Sequence, residues 1–214
     1  MKRDSLECSS YSLMGGKLMY TTLMTPLGLL TIVASDGAIT HIACAGQASF
    51  PRTTGCHLVF ADETGTPLFQ RSGNMQTCMA DQACGGEDLN AEVLQQTRHE
   101  LTEYFSSRRR AFSFPIKPQG SDFSIRVWNE LLTVPWGELV TYGELARRIG
   151  HPGAARQVGQ AVGRNPLLVV IPCHRVVAAN SQLGGFSAGI ERKLVLLRTE
   201  GTLGQVMKGY RPAV

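Results

Sequence analysis

Residues 141–163 read Thr141-Tyr142-Gly143-Glu144-Leu145-Ala146-Arg147-Arg148-Ile149-Gly150-His151-Pro152-Gly153-Ala154-Ala155-Arg156-Gln157-Val158-Gly159-Gln160-Ala161-Val162-Gly163. Thr141 and Glu144 have the spacing of a capping box: the Thr hydroxyl takes the Glu144 amide and the Glu carboxylate reaches back. The helix they open runs through Ile149 and stops at Gly150. His151-Pro152-Gly153 makes a tight connection, and Ala154 to Val162 forms a second helix that ends at Gly163. Two short helices joined by a brief glycine-containing turn read as helix-turn-helix.

Downstream, Asn165-Pro166 precedes the apolar run Leu167 to Ile171. Pro172-Cys173-His174-Arg175 and Val176-Val177 follow. A Gly-rich loop, Leu183 to Gly189, leads into a last helix, Ile190 to Glu200, stopped by Gly201. A free thiol is mostly protonated at neutral pH, and a neighbouring base or cation raises the nucleophilic thiolate fraction. His174 is a candidate base, and Arg175 a source of positive potential. Adjacent side chains on an extended chain point to opposite faces, so direct Cys–His contact needs a turn at Pro172 or a bridging water. On its own, a Cys-His pair reads more readily as a buried cysteine beside a partly exposed histidine.

Upstream, Phe123, Val127, Leu131 and Leu132 share one helical face beside Trp128, and Pro135 ends that helix. Pro115, Pro118 and Gly120 mark a linker, so residues 1–119 and 120–214 are expected as two domains. Ala111 to Ile116 alternates like a strand. Asp88 to Phe105 has helical periodicity, with Asp88 or Asn90 as cap. Leu29–Ala34 and Ala38–Ala43 flank Asp36-Gly37, the strongest short-range hairpin signal, because a type I′ turn needs positive φ at both central positions. Residues 46–87 are rich in Gly, Thr, Ser, Gln and Pro and read as a long, poorly packed insertion, with only Leu58-Val59-Phe60 as a short strand.

The chain has 214 residues, 43% hydrophobic and 18% charged, which excludes a wholly disordered protein. No apolar run approaches a membrane span. Lys2 and Arg3 are followed by Asp4 and Glu7, so no secretory signal is expected. Residues 1–119 hold 10 Lys/Arg and 11 Asp/Glu, whereas residues 120–214 hold 11 and 6. The basic excess sits in the half with the helix-turn-helix, which suits a polyanion such as nucleic acid. Five of six cysteines fall in the first 84 residues, and Cys173 stands alone. A reducing cytoplasm is expected, or a nucleus if the source is eukaryotic. His41-x-x-Cys44, Cys56-His57 and Cys78…Cys84 offer zinc-ligand types without a paired C-x-x-C, so no metal is expected, with a structural zinc in the N-terminal domain as the lesser reading.

Taken together, Asn165-Pro166, Ile171-Pro172-Cys173-His174-Arg175-Val176, Thr141–Ala146, Gly153–Gly159 and Gly185-Phe186-Ser187-Ala188-Gly189 resemble the O6-alkylguanine-DNA alkyltransferases. The resemblance spans Val127 to Gly201, with weaker echoes at Thr25-Pro26-Leu27-Gly28 and at Leu101, Tyr104 and Phe105. It implies a ribonuclease-H-like α/β N-terminal domain, a small antiparallel sheet plus a helix. A mainly α, winged-helix-like domain would follow. It implies DNA repair by a single-turnover methyltransferase: a flipped-out O6-alkylguanine, and O4-alkylthymine as well, gives its alkyl group irreversibly to Cys173. No cofactor is implied, the partner is double-stranded DNA, and a monomer is expected.

The family's site residues map by position. His174 would be the base through a water, and Glu200 would orient it. Tyr142 would donate toward guanine N3, and the Ser187 amide would face O6. The carbonyls of Cys173 and Val176 would accept from the exocyclic amine, and Asn165 would brace the turn. Leu168, Phe186 and Ala188 would line the alkyl pocket, where other members carry Pro, Tyr and Gly. Arg156 would fill the space left by the flipped base, and Ala154, Ala155 and Gly159 would let the second helix approach the minor groove. The rival classes are a lesion-binding module without transfer, a helix-turn-helix regulator and a thiol hydrolase. Cys173, Tyr142 and Glu200 together argue against the first two.

Overall fold

The computed structural model describes residues 9–13, 16–44, 56–61, 66–71, 74–75, 89–179 and 182–207. Strands β1 (Ser9–Leu13), β2 (Gly16–Thr25), β3 (Gly28–Ser35) and β4 (Ala38–Cys44) form an antiparallel sheet in chain order. The turn between β3 and β4 is the expected one: Asp36 and Gly37 have φ of 53° and 71°. Helix α1 (Leu89–Phe105) packs on the sheet through Val93, Leu94, Leu101 and Tyr104. Asn90 lies inside this helix, where it accepts from the Gly37 amide at 2.8 Å and fastens the helix to the hairpin turn. Asp88 is outside the described residues.

Two expectations for this half are corrected. The insertion carries more strand than its composition suggested: β5 (Cys56–Ala61), β6 (Thr66–Arg71) and β7 (Asn74–Met75) form their own antiparallel sheet. A composition rich in Gly, Thr, Ser and Gln carries little strand signal, and backbone pairing between separate segments is not read from it. Conversely, residues 111–116 are not a strand; only Ile116 bridges, to Ile39. Pro115 contributes no amide, so the segment touches the sheet edge by Ile39 N–H to Pro115 O and Lys117 N–H to Ile39 O, both 2.9 Å.

The second half holds α2 (Asp122–Leu132), β8 (Val140–Thr141), α3 (Tyr142–Arg148), α4 (Ala155–Gly163), β9 (Val176–Val177), α5 (Ile190–Thr199) and α6 (Leu203–Met207). β8 and β9 form a short parallel ladder. Thr141 caps α3 by accepting from the Glu144 amide at 3.1 Å. The reciprocal half of the box is replaced, because the Glu144 carboxylate pairs with Arg148 one turn on. Trp128 of α2 donates to the Ala161 carbonyl at 2.9 Å, tying α2 to the end of α4. Its ring lies so close to Gly120 that a Cβ there would meet it at 2.6 Å, so the linker needs a residue without a side chain.

The linker separates the halves in sequence, yet one apolar core crosses it. Met19, Leu30, Ile32 and Ile42 share a buried cluster with Val127, Leu131, Leu145 and Ile171. Burying each such side chain contributes about 1.5–3 kcal/mol. The outer edge of β4 is also paired: Ile42 N–H donates to Pro166 O at 2.8 Å, and Leu168 N–H donates to Ile42 O at 2.9 Å. Arg192 Nε of α5 donates to Leu27 O, in the β2–β3 turn, at 2.9 Å. The segment leading to Cys173 therefore rests on the N-terminal sheet.

Candidate active site

Cys173 opens a single 3-10 turn, Cys173–Arg175, directly after Pro172. The approach from Asn165 is held by Asn165 itself. Its Nδ2 donates to Ile171 O at 2.8 Å and to Cys173 Sγ at 3.0 Å, and its Oδ1 accepts from the Leu167 amide at 2.9 Å. Val169, in the turn closed by Ile171 N–H donating to Leu167 O at 3.0 Å, has φ of 74°. A β-branched residue in the left-handed region costs on the order of 1–3 kcal/mol. The bonds from Asn165 and to Ile42 hold it there.

His174 is fully buried, not partly exposed. The 3-10 turn directs it away from solvent and toward Glu200, the residue that follows α5. Its Nε2 lies 2.9 Å from Glu200 Oε1. Arg175 donates from Nε to Glu200 Oε2 and from Nη2 to Glu200 Oε1, each at 2.8 Å. Burial alone would raise the Glu200 pKa. The hydrogen bonds and charges of His174 and Arg175 outweigh it and hold the carboxyl far below the usual range. An ionised carboxylate only accepts, so the neutral His174 carries its hydrogen on Nε2. Nδ1 is then the basic nitrogen; it is buried and has no protein partner. Burial lowers the His174 pKa, so the ring rests neutral.

The thiol rests protonated as well. Burial pushes the Cys173 pKa up, against the pull of the Asn165 amide and the Lys193 charge. Arg175, expected to supply positive potential to the thiol, is instead committed to Glu200 and to the Val134 carbonyl. Lys193 of α5 takes that part. It is completely buried, and its ammonium donates to the carbonyls of Val176 at 2.7 Å, Leu183, and Gly185 at 3.5 Å. Burial lowers its pKa to about 8.

A cavity of about 240 Å³ opens onto Cys173, lined by Tyr142, Gly159, Val162, Gly163, Gly185, Phe186 and Ser187. The Tyr142 ring lies between two glycines. A Cβ at Gly159 would meet the ring at 3.7 Å, and one at Gly184 would meet its hydroxyl at 3.6 Å. Burial raises the Tyr142 pKa, and ionisation of the neighbouring Cys173 raises it further, so the phenol stays a donor at neutral pH. Tyr142, Phe186 and Ser187 thus share one cavity with the thiol, and Gly159, expected on the DNA-facing surface of the second helix, lines it as well. Leu168 and Ala188 do not line it. Both are buried in the main core, Leu168 because its amide is fastened to the β4 edge. Val176 lies behind the wall, with its carbonyl facing Lys193.

On α4, Arg156 is exposed, and Ala154 and Ala155 at the helix start are half-buried. Among the described residues no three His, Cys, Asp or Glu side chains converge on a metal site. Cys44 is buried, and burial lowers the His41 pKa to about 4; Cys78 and Cys84 lie outside the described residues. Two site residues escaped the sequence reading. Lys193 shares the inward face of α5 with Leu196 and Leu197, and a lysine on an apolar stripe was its signal. Tyr104 closes the apolar stripe of α1, and its hydroxyl donates to Glu200 Oε1 at 2.7 Å.

A sheet-plus-helix half and a helix-turn-helix half, locked around a buried thiol with a histidine–carboxylate pair behind it, define a class of proteins with a nucleophilic acceptor cysteine. The comparisons give that class its family. Residues 18–118 match the 6-O-methylguanine DNA methyltransferase ribonuclease-like domain, and residues 122–202 match the 6-O-methylguanine DNA methyltransferase DNA binding domain. The chain belongs to the 6-O-methylguanine DNA methyltransferase family. It is 34% identical to the methylated-DNA–protein-cysteine methyltransferase of Mycolicibacterium paratuberculosis, over 85% of this chain and 91% of that one. It is also 34% identical to the protein of that name from Haemophilus influenzae, over 86% of each. Its fold is similar to Mycobacterium tuberculosis OGT crystallised in complex with DNA: TM-score 0.64, 32% identity, 87% of this chain and 94% of that one. Among the described residues no helix is long and apolar enough to cross a membrane.

Proposed function

We propose that this protein repairs alkylated DNA by moving the alkyl group of O6-alkylguanine, and of O4-alkylthymine, onto its own Cys173, once per molecule. The observation that carries this reading is the buried thiol at the floor of the cavity, backed by the His174–Glu200 pair. The lesion atom is out of reach in a stacked duplex, so the base is flipped into the cavity. Arg156, exposed on α4, fills the gap, with Ala154, Ala155 and Gly159 giving a slim helix surface toward the minor groove.

In the reaction, the Cys173 proton passes through a water to His174 Nδ1. The Sγ–alkyl bond forms as the bond from carbon to O6 breaks, and the electron pair goes to the guanine. Tyr142 supplies a proton at N3 and regains one, by way of water, from the proton that His174 took up, and the Ser187 amide stabilises the charge at O6. The net exchange is a thiol hydrogen for an alkyl group. Removing one donor of this kind costs about 10²–10³ in rate in other enzymes. The Cys173 carbonyl accepts from the exocyclic amine, whereas the Val176 carbonyl, bonded to Lys193, serves the wall instead, and Phe186 packs on the flipped base. No step calls for a metal or cofactor. The thioether is stable, which makes the transfer irreversible.

Every group used comes from one chain, which suits a monomer. Residues 1–119 brace the site, and residues 120–214 bind DNA and transfer the alkyl group. A reactive thiol suits the reducing compartment that holds the DNA, the cytoplasm of a cell without a nucleus.

Intact-protein mass spectrometry after mixing with a duplex carrying O6-methylguanine tests this reading. One added methyl group on the Cys173 peptide, absent in Cys173→Ala, is the expected result. Tight lesion binding without a mass change would overturn the transfer and leave a damage-recognition module.

A further inference from the structure

The carboxylate that orients His174 is not held by the C-terminal half alone. Tyr104 stands on α1, 96 residues before Glu200 in sequence. Its ring is fully buried and packs edge-on against Trp136, with centroids 5.0 Å apart. Its hydroxyl lies 2.7 Å from Glu200 Oε1, the same oxygen that accepts from Arg175 at 2.8 Å and from His174 at 2.9 Å. A phenol facing an ionised carboxylate can only donate. Burial, then the Glu200 charge, raises the Tyr104 pKa well above the usual value, so it donates throughout the working range.

We propose that Tyr104 is a positioning residue for alkyl transfer: by donating to Glu200 Oε1 it limits the carboxylate's pull on His174, and so sets the pH at which His174 becomes a free base. This inference rests on the reading of His174 as the base. One oxygen shared among three donors offers each less negative charge than it would offer alone. The groups acting on His174 are Glu200 beyond α5, Arg175 on its own turn, Lys193 on α5, and Tyr104 through Glu200. Arg175 and Lys193 disfavour the imidazolium, whereas Glu200 favours it. Removing the Tyr104 hydroxyl returns charge to Oε1 and strengthens the Glu200 pull. His174 then holds its proton to higher pH, and the acid limb of the rate profile moves up.

Tyr104→Phe keeps the ring and its packing. A role in packing alone predicts the same limb at a uniformly changed rate. Site-specific 3,5-difluorotyrosine at position 104 is a stronger donor and predicts the opposite direction. The test is the single-turnover transfer rate from an O6-methylguanine duplex between about pH 5 and about pH 9, with the ¹⁵N titration of the His174 ring measured on the same three proteins. The expected result is a limb about half a pH unit to one unit higher in Tyr104→Phe, and lower in the fluorinated protein, with the His174 titration moving alongside. A limb and a titration unmoved in both variants overturn the proposal. If the Phe variant does not fold, the direction of the fluorinated protein decides alone. A wild type that transfers no methyl group sinks the functional reading, and the His174 titration still decides this one.

Discussion

The two sides of Cys173 are built to opposite plans. Behind it, His174, Glu200, Arg175 and Tyr104 are all buried, and the Glu200 carboxylate accepts from each of the other three. In front of it, Tyr142, Phe186 and Ser187 are half-buried or exposed around a cavity of about 240 Å³. The proton-handling side is finished before any substrate arrives. The base-binding side offers surfaces whose polar partners must come from a ligand. Preorganised charge is worth most where charge develops, and a flipped base needs an open entrance. Damage to the rear wall should therefore cost both stability and rate, and damage to the front should cost rate on DNA alone.

Glu200→Gln is the strongest way to break that contrast. It leaves the Arg175 guanidinium buried without a counter-charge and removes the carboxylate that fixes the His174 tautomer. The expected loss is about 3–5 kcal/mol of stability by denaturant unfolding. Alkyl transfer should slow by roughly 10³-fold or more, as when a triad member is removed from a hydrolase. The wild type has a matching pH signature. The folded Glu200 pKa lies far below its unfolded value, so its contribution is full above pH ~4.3 and is lost as pH falls below that value. Glu200→Gln should flatten this acid-side fall in stability.

Arg156→Ala probes the other side. The side chain is exposed on α4. Unfolding free energy should change by no more than about 0.5 kcal/mol. Transfer from duplex DNA should fall by roughly 10²-fold, because base flipping costs a few kcal/mol that the arginine helps to offset. Alkylation of Cys173 by a small soluble electrophile should keep its wild-type rate. An equal loss in both assays would mean that α4 shapes the thiol and not the DNA contact.

The contrast also marks what the sequence disclosed. The front was legible in part by local rules and in part by resemblance: the capping box opens α3 at Tyr142, the roles of Tyr142, Phe186 and Ser187 came from the family's motifs, and the glycines at 159 and 184 that flank the ring emerge only in the fold. The hairpin at Asp36-Gly37 was legible by local rules. The rear wall depends on pairings between residues far apart in the chain, such as Tyr104 with Glu200 and Ile42 with Leu168. Periodicity reports that Tyr104 and Lys193 face inward but not what they meet there. Arg175 misled because adjacency to Cys173 suggested partnership, while the 3-10 turn swings its guanidinium to Glu200. Leu168 and Ala188 entered by resemblance as cavity positions, and their burial in the core follows from strand pairing and packing that no local rule encodes.

Lys193 belongs to both plans, and its variant sharpens the comparison where the expected effect is smallest. The ammonium ties the Val176 carbonyl, at the rear, to the Leu183 and Gly185 carbonyls of the loop that carries Phe186 and Ser187. Its pKa is lowered from 10.5 to about 8 by burial. Between these values the unfolded chain binds the proton and the folded chain does not, so stability should rise as pH rises through that window. The gain is up to about 3 kcal/mol, and below pH 8 the buried charge holds stability down by the same amount. Lys193→Met removes the titrating group, so its unfolding free energy should lack this rise between pH 8 and 10.5. The same variant frees the loop and takes the cation from the thiolate, and transfer should slow by about 10-fold at neutral pH. A methionine protein that keeps the alkaline rise would place that titration elsewhere. One that keeps the full rate would show that the front wall holds its shape without the tie, and the two sides of Cys173 would then be independent.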